Sequence, residues 1–153
     1  MEIEIELPLD TDGFLRRECP HCELEFKWHH GRTEDAPATF VYPPVYWCPR
    51  CGRSAGHGAW LTKDQLRYEE EVVGGMAADV IGDELMEAFR PSRNSFLSFE
   101  VQPGERTSVP DPLYEPDDMM MIAPPCHPWE PVKVPEDAVA PYFCLVCGAA
   151  YAV

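Results

Sequence analysis

Seven cysteines carry most of the chemistry this chain can do, and six of them fall into three Cys-x-x-Cys pairs: Cys19/Cys22, Cys48/Cys51 and Cys144/Cys147. Two thiolates at that spacing can turn onto one cation, which makes the pattern a metal signature. A disulfide framework would call for an even count and an export signal, and a thioredoxin-like redox pair would occur once beside a βαβ pattern. The seventh cysteine, Cys126, is followed directly by His127. The sequence-local division of these eight ligands gives Cys19, Cys22, Cys48 and Cys51 to one ion and Cys126, His127, Cys144 and Cys147 to a second.

Paired thiolates need a tight knuckle between them, and a glycine after the second cysteine eases that turn. Gly52 and Gly148 stand there, whereas Cys22 is followed by Glu23. Pro20 and Pro49 preset φ just after the first cysteine of their pairs. Phe14-Leu15-Arg16-Arg17-Glu18-Cys19-Pro20-His21-Cys22 together with Tyr46-Trp47-Cys48-Pro49-Arg50-Cys51-Gly52 resembles a zinc ribbon, the rubredoxin-like knuckle fold, over roughly residues 14 to 54. Residues 119–153 resemble a second, degenerate ribbon in which Cys126-His127 replaces a Cys-x-x-Cys. The resemblance implies zinc, two ions per chain. It does not imply a task, because ribbons serve transcription factors, ribosomal proteins, enzyme appendages and adaptors alike. Iron is the competitor at the first site, and colour separates the two.

The elements that must position these ligands are short. Ile3, Ile5 and Leu7 alternate with glutamates as in a half-buried strand. Phe14 to Glu18 runs into the first knuckle, Leu24 to Trp28 leaves it, and Val45 to Trp47 enters the second after a long loop. Thr62-Lys63-Asp64-Gln65 has the form of a capping box, and apolar residues from Leu66 to Phe89 recur at helical spacing until Pro91. Gly74 and Gly75 predict a kink or a break near their position. Phe96 to Val101, Met119 to Ala123, Val132 to Val134 and Tyr142 to Cys144 read as further strands. The expected fold is α+β, two small antiparallel zinc ribbons joined by a central acidic helix. Its divisions are 1–60 (first ribbon with a leading strand), 61–91 (helical linker) and 92–153 (a strand plus the degenerate ribbon).

Of the 153 residues 27 are acidic and 12 basic, a net charge of −15 that opposes nucleic-acid binding in general. Residues 32–64 escape this, with four bases against three acids, among them Arg50 and Arg53 beside the second knuckle. A nucleic-acid-associated ribbon would use that region. A metalloenzyme would instead need an open position at the C-terminal ion and a neighbouring acid or base, for which Glu130 is the nearest carboxylate. His29 and His30 could exchange for a cysteine ligand but read as loop residues, as does His57; His21 lies within its knuckle. Phe26, Trp28, Phe40, Tyr42, Tyr46, Trp47 and Trp60 exceed what one small ribbon can bury, so part of the group is expected to form a binding face.

Together these features favour a non-catalytic adaptor or regulatory subunit. The expected partner is a basic protein, with self-association through the 63–90 helix as a further mode. The longest nearly uncharged apolar run, Val72 to Ala78, falls well short of the roughly 20 residues a membrane span needs, and the location expected is cytoplasmic. A structural zinc site contributes about 10 to 16 kcal/mol in small peptides, against about 5 to 15 kcal/mol for whole-domain stability. Cys48→Ser should therefore unfold the first ribbon outright, seen as loss of its metal and of amide protection in hydrogen exchange.

Overall fold

The computed structural model describes residues 4–29, 31–88 and 109–153. They form two compact units, one made of Leu7–Gln65 with Leu113–Val153, the other gathering the described parts of 1–6 and 66–112. The class is α+β, with one α-helix, a short 3-10 turn at His57–Ala59 and antiparallel strands among the described residues. Both ligand sets lie in the first unit.

That unit is built on a four-stranded sheet. Strands β1 (Phe14–Glu18), β2 (Glu25–His29), β5 (Met119–Ile122) and β6 (Val132–Pro135) assemble in the order β1-β2-β6-β5. The order reads alike from either edge: each outer strand runs toward a ligand turn, each inner strand returns from it, and the inner strands pair antiparallel through Lys27↔Lys133 and Trp28↔Val132. Two short hairpins carry the remaining ligands, β3 (Val45–Trp47) with β4 (Ser54–Gly56) and β7 (Tyr142–Phe143) with β8 (Ala150–Tyr151).

Because side chains alternate along a strand, the sheet has two unlike faces. Phe26, Trp28, Val132, Val134 and Ile122 line one, and they bury themselves with Trp60, Tyr142, Leu145, Cys19 and Cys48 in a single core. The other face bears Arg16, Lys27 and Lys133. Both lysines are almost wholly buried, directly opposite one another. Like charges so placed repel, and the loop before β1 and the segment before β5 supply the remedy. Asp10 reaches Lys133 at 2.7 Å and Lys27 at 3.3 Å. Glu115 and Asp118 reach Lys27 at 3.0 and 3.1 Å, and Asp12 reaches Lys133 at 2.6 Å. Arg16 joins the network through Glu25, Glu115 and Asp118. Phe14 lies under the Lys133 ammonium, 4.8 Å from its ring centre.

Helix α1 (Lys63–Ala88) begins at the expected capping box: the Thr62 amide donates to Gln65 Oε1 at 2.9 Å, and the Gln65 amide donates to Thr62 Oγ1 at 3.1 Å. Gln65 also donates to the Arg16 carbonyl at the sheet edge. The helix runs unbroken through Gly74 and Gly75, contrary to the expected break, since a cost of about 1 kcal/mol per glycine does not outweigh hydrogen bonding along 26 residues. Among its residues only Gln65 is buried, and Val72, Gly75 and Met76 line a cleft with Val109 and Pro110.

Residues 4–7 are not in a strand. Alternation specifies which face a strand would bury, but it supplies no edge to pair with. The expected strand Phe96 to Val101, the helix stop at Pro91 and His30 lie outside the described residues. No helix among the described residues is long and apolar enough to cross a membrane.

Asp10 is the hinge of the charged face, since its Oδ1 also accepts the Phe14 and Asp12 amides. Burial by itself would raise its pKa, but Lys133, the Phe14 amide and Lys27 overcome that and hold it at about 2. Asp10→Asn leaves two buried ammoniums short of counter-charge and should cost about 3 kcal/mol at pH 7 by urea denaturation. A carboxylate whose folded pKa is depressed stabilises above its unfolded value and loses that contribution as pH falls. The gap between wild type and variant should therefore narrow from pH 3.8 down to about 2.

Candidate metal centres

Three of the four ligand turns share one local design. In each Cys-x-x-Cys the residue after the second cysteine donates its amide to the first cysteine's carbonyl: Glu23 to Cys19, Gly52 to Cys48 and Gly148 to Cys144, at 3.0, 2.9 and 2.8 Å. The first cysteine's amide in turn donates to the carbonyl one residue further on, at Leu24, Arg53 and Ala149. This closure forces the left-handed region, with φ of 59° at Glu23 and 74° at both Gly52 and Gly148. Glu23 therefore occupies the glycine position of its knuckle and bears the strain of a side chain there. Amides point back at the sulfurs, His21 N–H to Cys19 Sγ at 3.3 Å and Arg50 N–H to Cys48 Sγ at 3.3 Å, as a thiolate requires.

The four ligand atoms of Cys19, Cys22, Cys48 and Cys51 all lie within 4.8 Å of one another, and so do those of Cys126, His127, Cys144 and Cys147. Both expected sets come together, and each could hold a metal ion. With metal–sulfur bonds of about 2.3 Å a regular tetrahedron has sulfur–sulfur edges of about 3.8 Å. Cys19–Cys51, Cys22–Cys48 and Cys126–Cys147 stand at 3.7, 3.8 and 3.6 Å, and Cys144 Sγ lies 3.4 Å from His127 Nδ1. The donor atoms thus already have the spacing of a four-coordinate cation. Burial pushes the Cys48 and Cys144 thiols far above their ordinary range, a penalty that a divalent ion between the sulfurs would offset.

The fourth turn is built differently. Cys126 and His127 are adjacent, and the imidazole carries its nitrogen one bond further from the backbone than a thiol carries its sulfur. His127 is placed from the outside: its ring packs against Phe40 at 5.5 Å and Trp129 at 5.2 Å, and Phe40 also meets Tyr42 and Trp129. The loop of the first segment thereby orients a ligand of the second. Glu130 follows, fully buried, its carboxylate accepting from Trp28 Nε1 and from Tyr42 Oη and lying 3.0 Å from His29 Nε2. Its oxygens are committed to these three side chains. His21 is exposed beside the Ser54 carbonyl, and His57 stacks on Tyr46.

The aromatic excess resolves in the same way. Phe26, Trp28 and Trp60 are buried, and Phe40, Tyr42, Tyr46 and Trp47 are half-buried. Trp47 lies over Gly148, and Phe143 over Gly52, each where a β-carbon would come within 2.7 and 2.8 Å of the ring. The backbones reciprocate: the Trp47 amide donates to the Leu145 carbonyl and the Phe143 amide to the Pro49 carbonyl, both at 2.9 Å. Tyr46-Trp47-Cys48-x-x-Cys51-Gly52 and Tyr142-Phe143-Cys144-x-x-Cys147-Gly148 are thus one motif used twice and docked on itself. The shared Tyr-aromatic-Cys-x-x-Cys-Gly pattern was the available signal for that pairing.

No protein-family model matches this chain, and no curated protein or solved structure matches it either.

Gly148→Ala would meet both the positive φ and the Trp47 ring, and should destabilise by about 2 kcal/mol. Trp47→Leu in the same chain should recover part of that loss. Thermal or urea unfolding of the two single variants and the double variant gives the coupling, and additive losses would show that the ring contact is absent.

Proposed function

We propose that this protein is a two-zinc structural module with no catalysis of its own, in which two ribbon halves form a rigid platform and the acidic helix receives a basic protein partner. The observation that carries the first part is the closure of both sites by four protein ligands at tetrahedral spacing. A catalytic zinc keeps a position for water or substrate. The carboxylate nearest in sequence to Cys126 and His127, Glu130, is buried and committed to Trp28, His29 and Tyr42. Zinc suits four thiolates, or three thiolates and one imidazole, in a tetrahedral site.

The partner reading rests on α1. Leu66, Val73 and Val80 recur at seven-residue spacing, 45, 42 and 36% exposed. They lie on a helix with eight acidic and two basic side chains. An apolar stripe within one sign of charge fits a helix or segment of opposite sign, with apolar anchors and a basic rim. Two copies of this helix would each bring a net charge of −6 to the contact, which favours a basic partner over self-association.

The test takes the full chain and a Leu66→Glu, Val73→Glu, Val80→Glu variant. Both should contain two zinc ions per chain by elemental analysis and be colourless. Quantitative affinity purification from the native source should return a basic protein that the variant and high salt both lose. Identical partner sets for the two chains would overturn the helix as the docking face. A metal content of zero would overturn the module itself, and salt-sensitive oligonucleotide binding abolished by Arg50→Ala with Arg53→Ala would move the function to nucleic acid.

A further inference from the structure

The two ligand sets differ in how they meet solvent. In the first, Cys19 and Cys48 have no exposed surface, and the sulfur pairs Cys19–Cys51 at 3.7 Å and Cys22–Cys48 at 3.8 Å each contain one of them. In the second, Cys144 is likewise buried, but Cys126 and Cys147 are both exposed and stand 3.6 Å apart. Cys147 sits at the tip of the β7–β8 hairpin, which has two residue pairs, and Cys126 follows an exposed Pro125 in a turn without the Cys-x-x-Cys closure.

The geometry points to Cys126 and Cys147 as an oxidisable pair that releases the ion of the second site while the first site keeps its own. This inference rests on the two-metal reading above. Susceptibility of a cysteine to oxidation follows its thiolate character and its exposure. A hydroperoxide such as hydrogen peroxide is the oxidant. One exposed thiolate attacks a peroxide oxygen, so that a sulfur–oxygen bond forms, the oxygen–oxygen bond breaks and the departing hydroxide takes a proton to leave as water. The second thiolate then attacks that sulfur, the disulfide forms, the sulfur–oxygen bond breaks and a second water leaves. Two electrons pass from the two sulfurs to one peroxide, two protons are consumed, and the metal ion departs with its charge unchanged. The sulfurs need to close from 3.6 Å to about 2.0 Å. His127 and Cys144 are then two ligands, too few to retain the ion.

The loss acts beyond the site. The knuckle Cys144–Gly148 carries the Leu145 carbonyl and the glycine under Trp47, so its release loosens the contact between the two repeated motifs while the sheet and the first site stay formed. The second site is in this sense a peroxide-responsive clasp on a platform that survives its opening.

The experiment loads the full chain with zinc and confirms two ions per chain. It then adds hydrogen peroxide in the presence of a chromophoric zinc chelator. One ion should leave on the order of tenfold faster than the other. Peptide mapping should find a Cys126–Cys147 disulfide and reduced Cys19, Cys22, Cys48 and Cys51, and dithiothreitol with zinc should restore two ions. Cys126→His removes one sulfur of the pair and offers an imidazole in its place, and a second ion held by this variant should stay bound under the same peroxide. Release of both ions at one rate, release without the Cys126–Cys147 disulfide, or a Cys126→His chain as sensitive as wild type would overturn the inference. Should Cys126→His bind only one ion, the wild-type rates and peptide map decide alone. A starting protein with fewer than two ions would instead overturn the two-metal reading beneath it.

Discussion

Two lysine ammoniums lie opposite each other at the middle of the sheet, and the architecture of the unit that holds both ligand sets follows from where their counter-charges come from. Lys27 and Lys133 are cross-strand neighbours in the ladder that joins the N-terminal and C-terminal hairpins. That ladder can close only with carboxylates between and around the two cations. Asp10 bridges both, and Asp12, Glu115 and Asp118 complete the set. The segments before β1 and before β5 are thereby drawn over the sheet, which leaves the opposite face free to be apolar and to pack on the knuckles. A buried network of this kind adds little to stability compared with apolar packing, but it specifies register: sliding β6 by one residue would turn Lys133 onto the apolar face.

The opposite face shows the same economy with aromatic rings. Each knuckle glycine that the backbone requires at positive φ also receives the ring that precedes the other knuckle's first cysteine, Trp47 over Gly148 and Phe143 over Gly52. Local turn chemistry and long-range docking thus rest on the same two residues. Phe40 on His127, and Trp28 and Tyr42 on Glu130, extend this interdependence to the least regular ligand turn. Each half of the unit is completed by side chains of the other.

What could be read from the sequence was whatever is local. Cysteine spacing named both ligand sets, because a Cys-x-x-Cys knuckle is closed by hydrogen bonds within six residues. The Thr62/Gln65 capping box fixed the start of α1 for the same reason, and β1, β2, β3, β5, β6 and β7 followed from short runs with apolar residues, whereas β4 and β8 were not among the expected strands. The β2–β6 pairing could not be read this way, since its partners are more than a hundred residues apart and nothing in Glu25–His29 or Val132–Pro135 encodes the other. The excess of aromatic residues was visible, but its meaning was not: Phe40, Tyr42 and Trp47 looked surplus to one ribbon because their partners His127, Trp129, Glu130 and Gly148 lie in the distant segment. Alternation at Ile5 and Leu7 misled because pattern without a partner edge makes no strand. Glu23, in the glycine place of its knuckle, shows ligand geometry overriding backbone preference.

The order of the sheet also sets a schedule for the nascent chain. β1, β2 and all four ligands of the first site are synthesised by Cys51, but β6 emerges about a hundred residues after β2. At roughly 5 to 20 residues per second that is about 5 to 20 s. Through that interval β2, an inner strand in the finished molecule, is an open edge with a full row of unpaired backbone donors and acceptors, the arrangement that invites pairing with other chains. Lys27 stands at the middle of that edge, and an ammonium on an unpaired strand deters such pairing. The same lysine that the finished sheet must neutralise thus guards the half-made one.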